Sequence, residues 1–162
     1  MKARLNGPGA GSGTPADYLH FATHALLDGR APLDSALVLA PGDGEDGLLR
    51  AREVIEQLRV ESDLVVLSAC DTGLGAELAG EGVLGLSHAF LFSGARTIVT
   101  SLWPVADDST ARWMAAFYGE LRRGADRDEA VRSAQVEALA GDGPRRHPYY
   151  WAAFQLWGDW GR

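Results

Sequence analysis

The side chains best suited to chemistry in this chain are a cysteine and a histidine that each come at the end of a short apolar stretch. Cys70, the only cysteine, follows the apolar residues 64–69, and His24 lies near the end of residues 17–25. A cysteine thiolate is a nucleophile, and a nearby imidazole lowers the pKa of the thiol or accepts its proton. Together the two side chains would supply the minimum machinery for acyl transfer from a peptide bond.

The two apolar stretches have the composition of strands that would bring Cys70 and His24 together. Residues 64–69 include two adjacent valines and are apolar at all but one position, which is typical of a strand buried on both faces. If the two strands are parallel neighbours, both side chains emerge at the sheet edge where open α/β folds place their ligands. The alternative is a buried structural cysteine, because free cysteine is among the most buried residue types.

The rest of the chain alternates predicted strands with predicted helices. Periodicity and turn residues predict strands at 35–40, 96–102 and 149–156, and helices at 49–58, 80–94, 107–123 and 128–140. This alternation is typical of an α/β fold with a mainly parallel sheet. Residues 1–15 are rich in glycine and proline and predict a flexible lead, so we expect the folded domain at residues 16–162.

Composition and charge exclude several classes of function. A net charge of −7 argues against nucleic-acid binding, which needs basic clusters. No apolar run reaches the roughly 18 residues of a membrane span. A single cysteine suits a reducing compartment, and no apolar signal-peptide segment follows the basic start, so we expect a cytoplasmic protein. The scattered histidines lack the close paired spacing of zinc ligands, so neither a metal nor another cofactor is expected.

Five segments in order along the chain carry a family resemblance. They are His20-Phe-Ala-Thr-His24-Ala25, Leu67-Ser-Ala-Cys70-Asp-Thr-Gly73, Gly80-Glu-Gly-Val-Leu-Gly-Leu86, Ala95-Arg-Thr-Ile-Val-Thr-Ser-Leu-Trp-Pro-Val105 and His147-Pro-Tyr-Tyr-Trp-Ala-Ala-Phe154. Together they resemble the CHAT domain, a cysteine peptidase module related to caspases and separases. The resemblance covers roughly residues 17 to 159, and five motifs in order are far more specific than a Cys–His pair alone.

The resemblance implies a fold and a reaction. The fold would be a caspase-like three-layer α/β/α sandwich with a mainly parallel sheet, and the short stretch before the histidine strand leaves open whether that sheet is complete on its N-terminal side. The reaction would be peptide-bond hydrolysis, with Cys70 as nucleophile and His24 as base and acid. The oxyanion would be held by the backbone N–H groups of Cys70 and Ala25, where the family usually has glycine.

The resemblance also implies partners and a substrate site. The partners would be a peptide or protein substrate and a helical-repeat regulatory segment, and some members act in bacterial defence. An acidic residue in the stretch after the fourth motif would meet a basic P1 side chain. The competing interpretation is that Asp107 or Asp108 caps the helix that begins there. The predicted substrate-binding residues are Ser68, Asp71, Trp103, Asp107 and Asp108.

Two further predictions complete the expectations from sequence. His20 lies within the first strand and is predicted to be a packed core histidine. The alternative to catalysis is a catalytically silent interaction module, or a truncated fragment that needs a partner segment to cover an exposed sheet edge. The presence of both His24 and Cys70 favours the peptidase, because a pure binding module has no chemical need for the pair.

Overall fold

The computed structural model describes residues 17–42, 44–68, 70–71 and 76–161, with the backbone alone for residues 70, 71 and 76–80. Its strands are β1 (Tyr18–Phe21), β2 (His24–Leu26), β3 (Ala36–Val38), β4 (Leu48–Arg50), β5 (Leu64–Leu67), β6 (Cys70–Asp71), β7 (Thr97–Ser101) and β8 (Phe154–Gly158). Its α-helices are α1 (Ala51–Gln57), α2 (Ala76–Phe92), α3 (Asp107–Arg123) and α4 (Arg127–Ala140). The predicted α/β class is confirmed.

The main sheet has the strand order β1-β5-β7-β8. β1, β5 and β7 are parallel, and β8 runs antiparallel to β7. Every residue of β5 and β7 is buried. Strands covered on both faces are apolar along their whole length, which explains the continuous apolar run of residues 64–67. The prediction of a mainly parallel sheet is confirmed.

Helices cover both faces of the main sheet, so the fold has three layers. Side chains alternate between the faces of a strand. Val65 and Leu67 therefore join the core beneath α1 and α2, and Leu64 and Val66 join the core beneath α3 and α4. In the second core, the Trp113 ring stacks on the rings of Phe117 and Phe154 at centroid separations of 5.3 and 4.1 Å.

A second, smaller sheet has the order β4-β3-β2-β6. The β2–β6 pair is parallel, and the other two pairs are antiparallel. Ala25, Leu37 and Leu49 of this sheet are buried in the core beneath α1 and α2. The predicted single strand over residues 17–25 is therefore wrong in one respect: it is two strands in two sheets, separated at residues 22–23.

Helix α2 packs closely against the segment that follows β2, and two of its glycines make this possible. A Cβ at Gly82 would lie 2.8 Å from the Leu27 Cβ, and one at Gly85 would lie 2.7 Å from both the Cβ and the carbonyl oxygen of Pro32. Both positions fall within the glycine-rich motif of residues 80–86. A side chain at either position would push α2 away from the residues that lead out of the smaller sheet.

The last strand begins later than the sequence predicts. Pro148–Tyr150 forms a 3₁₀ helix, in which Trp151 N donates to Pro148 O at 3.2 Å, and β8 begins only at Phe154. Proline fixes φ and suits the first position of a helical turn. The prediction of a strand at residues 149–156 is wrong in its first half, because local turn hydrogen bonds override the strand propensity of the aromatic residues.

Candidate functional site

His24 and Cys70 lie opposite each other in neighbouring strands. They are register partners in the parallel β2–β6 pair. β1 and β5 pair with the same sequence offset, from Tyr18 opposite Leu64 to Phe21 opposite Leu67. Two parallel segments thus leave the main sheet together and pair again at His24 and Cys70. Because neighbouring strands lie about 4.8 Å apart, the backbones of these two residues are adjacent.

Each of these residues begins a short strand, whereas the sequence predicted that each would end a longer one. The main ladder stops at Phe21 and Leu67, although Ser68 N still donates to Phe21 O at 3.2 Å. On the histidine side, Thr23 Oγ1 donates to the Val38 carbonyl oxygen and ties the interruption to β3. The matched interruptions keep the histidine segment and the cysteine segment in register as both pass from the main sheet to the smaller sheet.

An open cleft of about 380 Å³ lies beside His24. Asp107 is the one acidic residue of its described lining, and it is exposed. Four residues of α3 line the cleft, and their i, i+3, i+4, i+7 spacing places them on one face of the helix: Asp107, Thr110, Ala111 and Met114. The lining residues are His20, Ala22, Thr23, His24, Ser68, Asp107, Thr110, Ala111 and Met114.

His20 forms part of the cleft wall and is not a packed core residue, which corrects the prediction. Its side chain is partly exposed, and it lies on β1, an edge strand within the described part of the main sheet. Its Nε2 lies 2.8 Å from Ser68 Oγ, and its Nδ1 lies 3.0 Å from Tyr118 Oη. Sequence periodicity placed His20 and His24 on one face, but Tyr118 lies 98 residues away, and no local pattern reveals it as a partner.

The surroundings of His20 and Tyr118 shift both pKa values. Loss of hydration lowers the pKa of His20, because packing around the ring disfavours the charged imidazolium. Burial, with a smaller contribution from Tyr18, raises the pKa of Tyr118 to about 12. Both rings are therefore neutral near pH 7. No described residue hydrogen bonds to the exposed ring of His24.

The structure divides the five predicted substrate-binding residues. Ser68 and Asp107 line the cleft beside His24. Asp108 faces away and forms an ion pair with Arg145 at 3.3 Å. Trp103 is outside the described lining, and its Nε1 donates to Tyr149 O at 2.8 Å. Asp71 is opposite Ala25 in the β2–β6 pair, and only its backbone is described.

The two acidic residues at the start of α3 do not cap it, contrary to the competing interpretation. The N-cap is Ala106, and no side chain caps the helix. Asp107 and Asp108 occupy the first turn, where their charges interact favourably with the positive end of the helix macrodipole. The sequence placed the ends of this helix correctly, and Gly124 ends it with φ at 89°.

Ala25, the predicted second oxyanion donor, lies within β2. It is 1% exposed and is opposite Leu37 on one side and Asp71 on the other. As a strand residue it has extended backbone, which alanine adopts as readily as other residues. The role of its N–H and of the Cys70 N–H stays a prediction.

Three further expectations from the sequence concern metal binding, membrane spans and the flexible amino-terminal segment. In the part of the chain that the structure describes, no group of three or more His, Cys, Asp or Glu residues could hold a metal ion. Among the described helices, none has the length and apolarity needed to cross a membrane. The predicted flexible lead at residues 1–15 falls outside the described residues.

Comparison with models of known protein families shows which family the chain belongs to. The profile of the CHAT domain matches residues 2–159. The chain belongs to the CHAT domain family. The five motifs of the sequence and the three-layer α/β architecture agree with this assignment, and they relate the chain to the caspase-like peptidases. Within this CHAT domain, the register partners His24 and Cys70 come from two of those motifs.

Two curated relatives of this CHAT domain are animal proteins. It is 32% identical to human tetratricopeptide repeat protein 28 over 184 aligned positions, which cover 90% of this chain and 7% of that protein. It is also 32% identical to mouse tetratricopeptide repeat protein 28 over 112 positions, or 69% of this chain and 4% of the mouse protein. The chain therefore spans a small fraction of the length of these relatives.

Proposed function

We propose that this CHAT domain is a cysteine endopeptidase that uses Cys70 as its nucleophile and His24 as its base and acid. The observation that carries the proposal is the register of β2 and β6, in which His24 and Cys70 are direct neighbours. The second support is the open cleft beside His24, which gives an extended peptide room to approach. Family membership supplies the prior expectation of a caspase-like reaction.

The reaction would proceed through an acyl-enzyme. The Cys70 thiolate attacks the scissile carbonyl carbon, and His24 takes the thiol proton. His24 then gives that proton to the leaving amine as the C–N bond breaks, which leaves a thioester on Cys70. Water, deprotonated by His24, attacks the thioester, releases the new carboxylate and restores the thiol. Fixed N–H donors at Cys70 and Ala25 would stabilise the tetrahedral oxyanion.

Labelling of the thiol with a fluorescent chloroacetamide tests the proposal, because the only cysteine makes the labelled site unambiguous. An imidazole that activates the thiol raises the thiolate fraction at pH 7 well above the few per cent of a free cysteine. We expect His24→Ala to slow labelling about 10- to 30-fold, which is the range of that change in thiolate fraction. Cys70→Ala should abolish labelling.

The matched control is His88→Ala, since His88 is an exposed histidine on α2 outside the described lining of the cleft. It should label at the wild-type rate. Equal, slow labelling of wild type and His24→Ala would overturn the proposal. Peptide-library digestion with the wild type and Cys70→Ala would then complete the test, because cleavage must disappear with the thiol.

The names of the relatives favour a partner for this domain. Both are tetratricopeptide repeat proteins, and they extend far beyond the region matched here. We propose that a helical-repeat segment, in the same protein or in another, presents substrates to the cleft or regulates it. If the dyad proves inert, a repeat-associated interaction module becomes the function that these matches favour.

A further inference from the structure

The cleft contains a second histidine that the proposed reaction does not use. His20 lies four residues before His24, and both line the same cleft. Both of its ring nitrogens have partners, Ser68 at Nε2 and Tyr118 at Nδ1. Two partners orient the imidazole and select its tautomer, and they leave neither ring nitrogen free to take a proton from a thiol.

The direction of these hydrogen bonds follows from the acceptor at one end. Ser68 Oγ donates to the Phe21 carbonyl oxygen at 3.4 Å, and a carbonyl can only accept. The Ser68 oxygen is then free to accept a proton from His20 Nε2, at 2.8 Å. In a neutral ring, Nδ1 is consequently unprotonated and accepts from the Tyr118 hydroxyl at 3.0 Å. With Ser68 as the donor to Phe21 O, a neutral His20 ring carries its proton on Nε2.

This chain of hydrogen bonds connects α3 to the point where the nucleophile strand leaves the main sheet. It begins at Tyr118 on α3 and ends at Phe21 O, which also accepts the Ser68 backbone N–H at 3.2 Å. Ser68 is two residues before Cys70. A change at His20 would therefore leave the Ser68 side chain held among the described residues by its longer bond to Phe21 O, and would loosen the backbone at Ser68.

We propose that His20 is a positioning residue that, as a neutral imidazole protonated at Nε2 and held by Tyr118, fixes Ser68 and thereby the backbone that leads to Cys70. Its importance for activity rests on the proposed peptidase function. The effect of His20 on the backbone at Ser68 does not depend on the peptidase function. Protonation of His20 would place a donor at Nδ1, so the Tyr118 hydroxyl would have to turn and accept, and it would put a positive charge on a ring that packing partly dehydrates.

Other titratable groups near His20 must be separated from it in any pH experiment. Tyr118 faces His20 from α3, and Tyr18, which belongs to β1, lies near Tyr118. His24 and Asp107 line the same cleft as His20. Tyr118 does not titrate near neutral pH, since its pKa is raised to about 12. The pKa of His20 is below its ordinary value, so labelling of Cys70 should fall as the pH drops through that lowered value.

The first measurement is a long-range ¹H–¹⁵N NMR spectrum of the histidine rings, which reports tautomer and pKa directly. We expect the Nε2–H tautomer for His20 in the wild type. In Tyr118→Phe the hydrogen bond that favours the neutral ring is lost, so the pKa of His20 should rise. An Nδ1–H tautomer, or an unchanged pKa in Tyr118→Phe, would overturn the proposal.

The second measurement compares His20→Gln with His20→Leu, because glutamine keeps an N–H donor for Ser68 and leucine does not. His20→Leu should slow Cys70 labelling about 3- to 10-fold, the equivalent of one neutral hydrogen bond, and His20→Gln should restore most of the rate. The step in the pH profile that belongs to His20 should be absent from both variants and present in His88→Ala. Equal rates for the two His20 variants, with the pH step retained, would contradict the proposal.

Hydrogen exchange at the Ser68 amide keeps the two proposals separate. If wild type and His24→Ala label equally slowly, the peptidase proposal fails, while the positioning of Ser68 is still measurable. The Ser68 N–H should exchange about 3- to 10-fold faster in His20→Leu than in His20→Gln. Equal exchange in these two variants would overturn the positioning role whatever the outcome of labelling.

Discussion

The two histidines of the first motif differ in what surrounds them, although they are four residues apart. His20 is held at both ring nitrogens, whereas no described residue hydrogen bonds to the ring of His24. A general base needs a ring nitrogen that is free to take a proton, whereas a positioning residue can have both nitrogens engaged. This difference in environment supports the proposal that His24, and not His20, is the base.

The charge of the cleft leads to a prediction for substrate preference. Asp107 is exposed at the cleft, so water partly screens its charge. Asp107→Asn should lower the preference for peptides with P1 Arg or Lys over P1 norleucine by about 3- to 10-fold, less than a buried charge pair would give. The measurement is kcat/KM for matched peptides that differ only at P1.

Asp108→Asn is the control for that prediction, because it removes the same charge from the adjacent residue. Asp108 is paired with Arg145 and lies outside the described lining of the cleft. It should leave the ratio of kcat/KM values unchanged. An identical drop in both variants would point to the general field of the helix start, and indifference of the wild type to P1 charge would remove the acidic site altogether.

Among the elements, helix α2 stabilises the smaller sheet by close approach. Its glycines allow its backbone to contact the segment between β2 and β3, which carries Leu27 and Pro32. That segment follows directly from the strand that begins with His24. The fit between α2 and this segment therefore helps to hold the histidine side of the site.

Substitution of Gly85 tests this contact. In Gly85→Ala the new methyl group would meet the Pro32 backbone, which cannot move as a flexible side chain could. We expect a loss of about 1–3 kcal/mol in the free energy of unfolding, in spite of the better helix propensity of alanine. Urea unfolding followed by circular dichroism measures it.

Gly119→Ala on α3 is the matched control. There the nearest atom to the new Cβ is the Arg123 guanidinium, 3.6 Å away. This variant should gain about 0.5–1 kcal/mol, because alanine restricts the unfolded chain and favours helix. A stable Gly85→Ala protein would show that α2 can shift without loss, and the proposed fit would be wrong.

At the scale of the whole molecule, the carboxyl-terminal segment fastens several elements together. Arg96, before β7, is hydrogen bonded to Asp63 at 3.1 Å and to Asp159 at 2.8 Å. Arg127 at the start of α4 is 4% exposed, and its guanidinium donates to the Gly161 carbonyl oxygen and lies 3.9 Å from Asp63. The segment after β8 therefore joins α4 to the beginning of the central strands.

The buried guanidinium gives a prediction for global stability. Arg127→Met removes a buried donor and leaves the Gly161 carbonyl and Asp63 without it, so we expect a loss of about 1–3 kcal/mol. Arg132→Met in the same helix breaks an exposed pair with Glu129 and should cost less than about 0.5 kcal/mol. Thermal and urea unfolding of both variants would check this, and equal stabilities would contradict it.

The sequence by itself determined the elements whose signals are local. The apolar run of residues 64–67 predicted a strand buried on both faces, and the acidic start, basic end and Gly124 predicted α3 with correct bounds. The order of five motifs predicted the family that the profile match assigns. Each of these depends on periodicity, on terminal charges or on residue types at fixed spacing, which a linear sequence records directly.

Only the tertiary structure decided features that depend on contacts between distant segments. The interruptions at residues 22–23 and after Leu67 occur because the chain passes from one sheet to another, and no residue type marks that passage. The fixed orientation of His20 needs Tyr118 from α3, and the different environments of Asp107 and Asp108 depend on which face of α3 meets the cleft. Periodicity places a residue on a face of its own element, but the packing of the elements determines what that face meets.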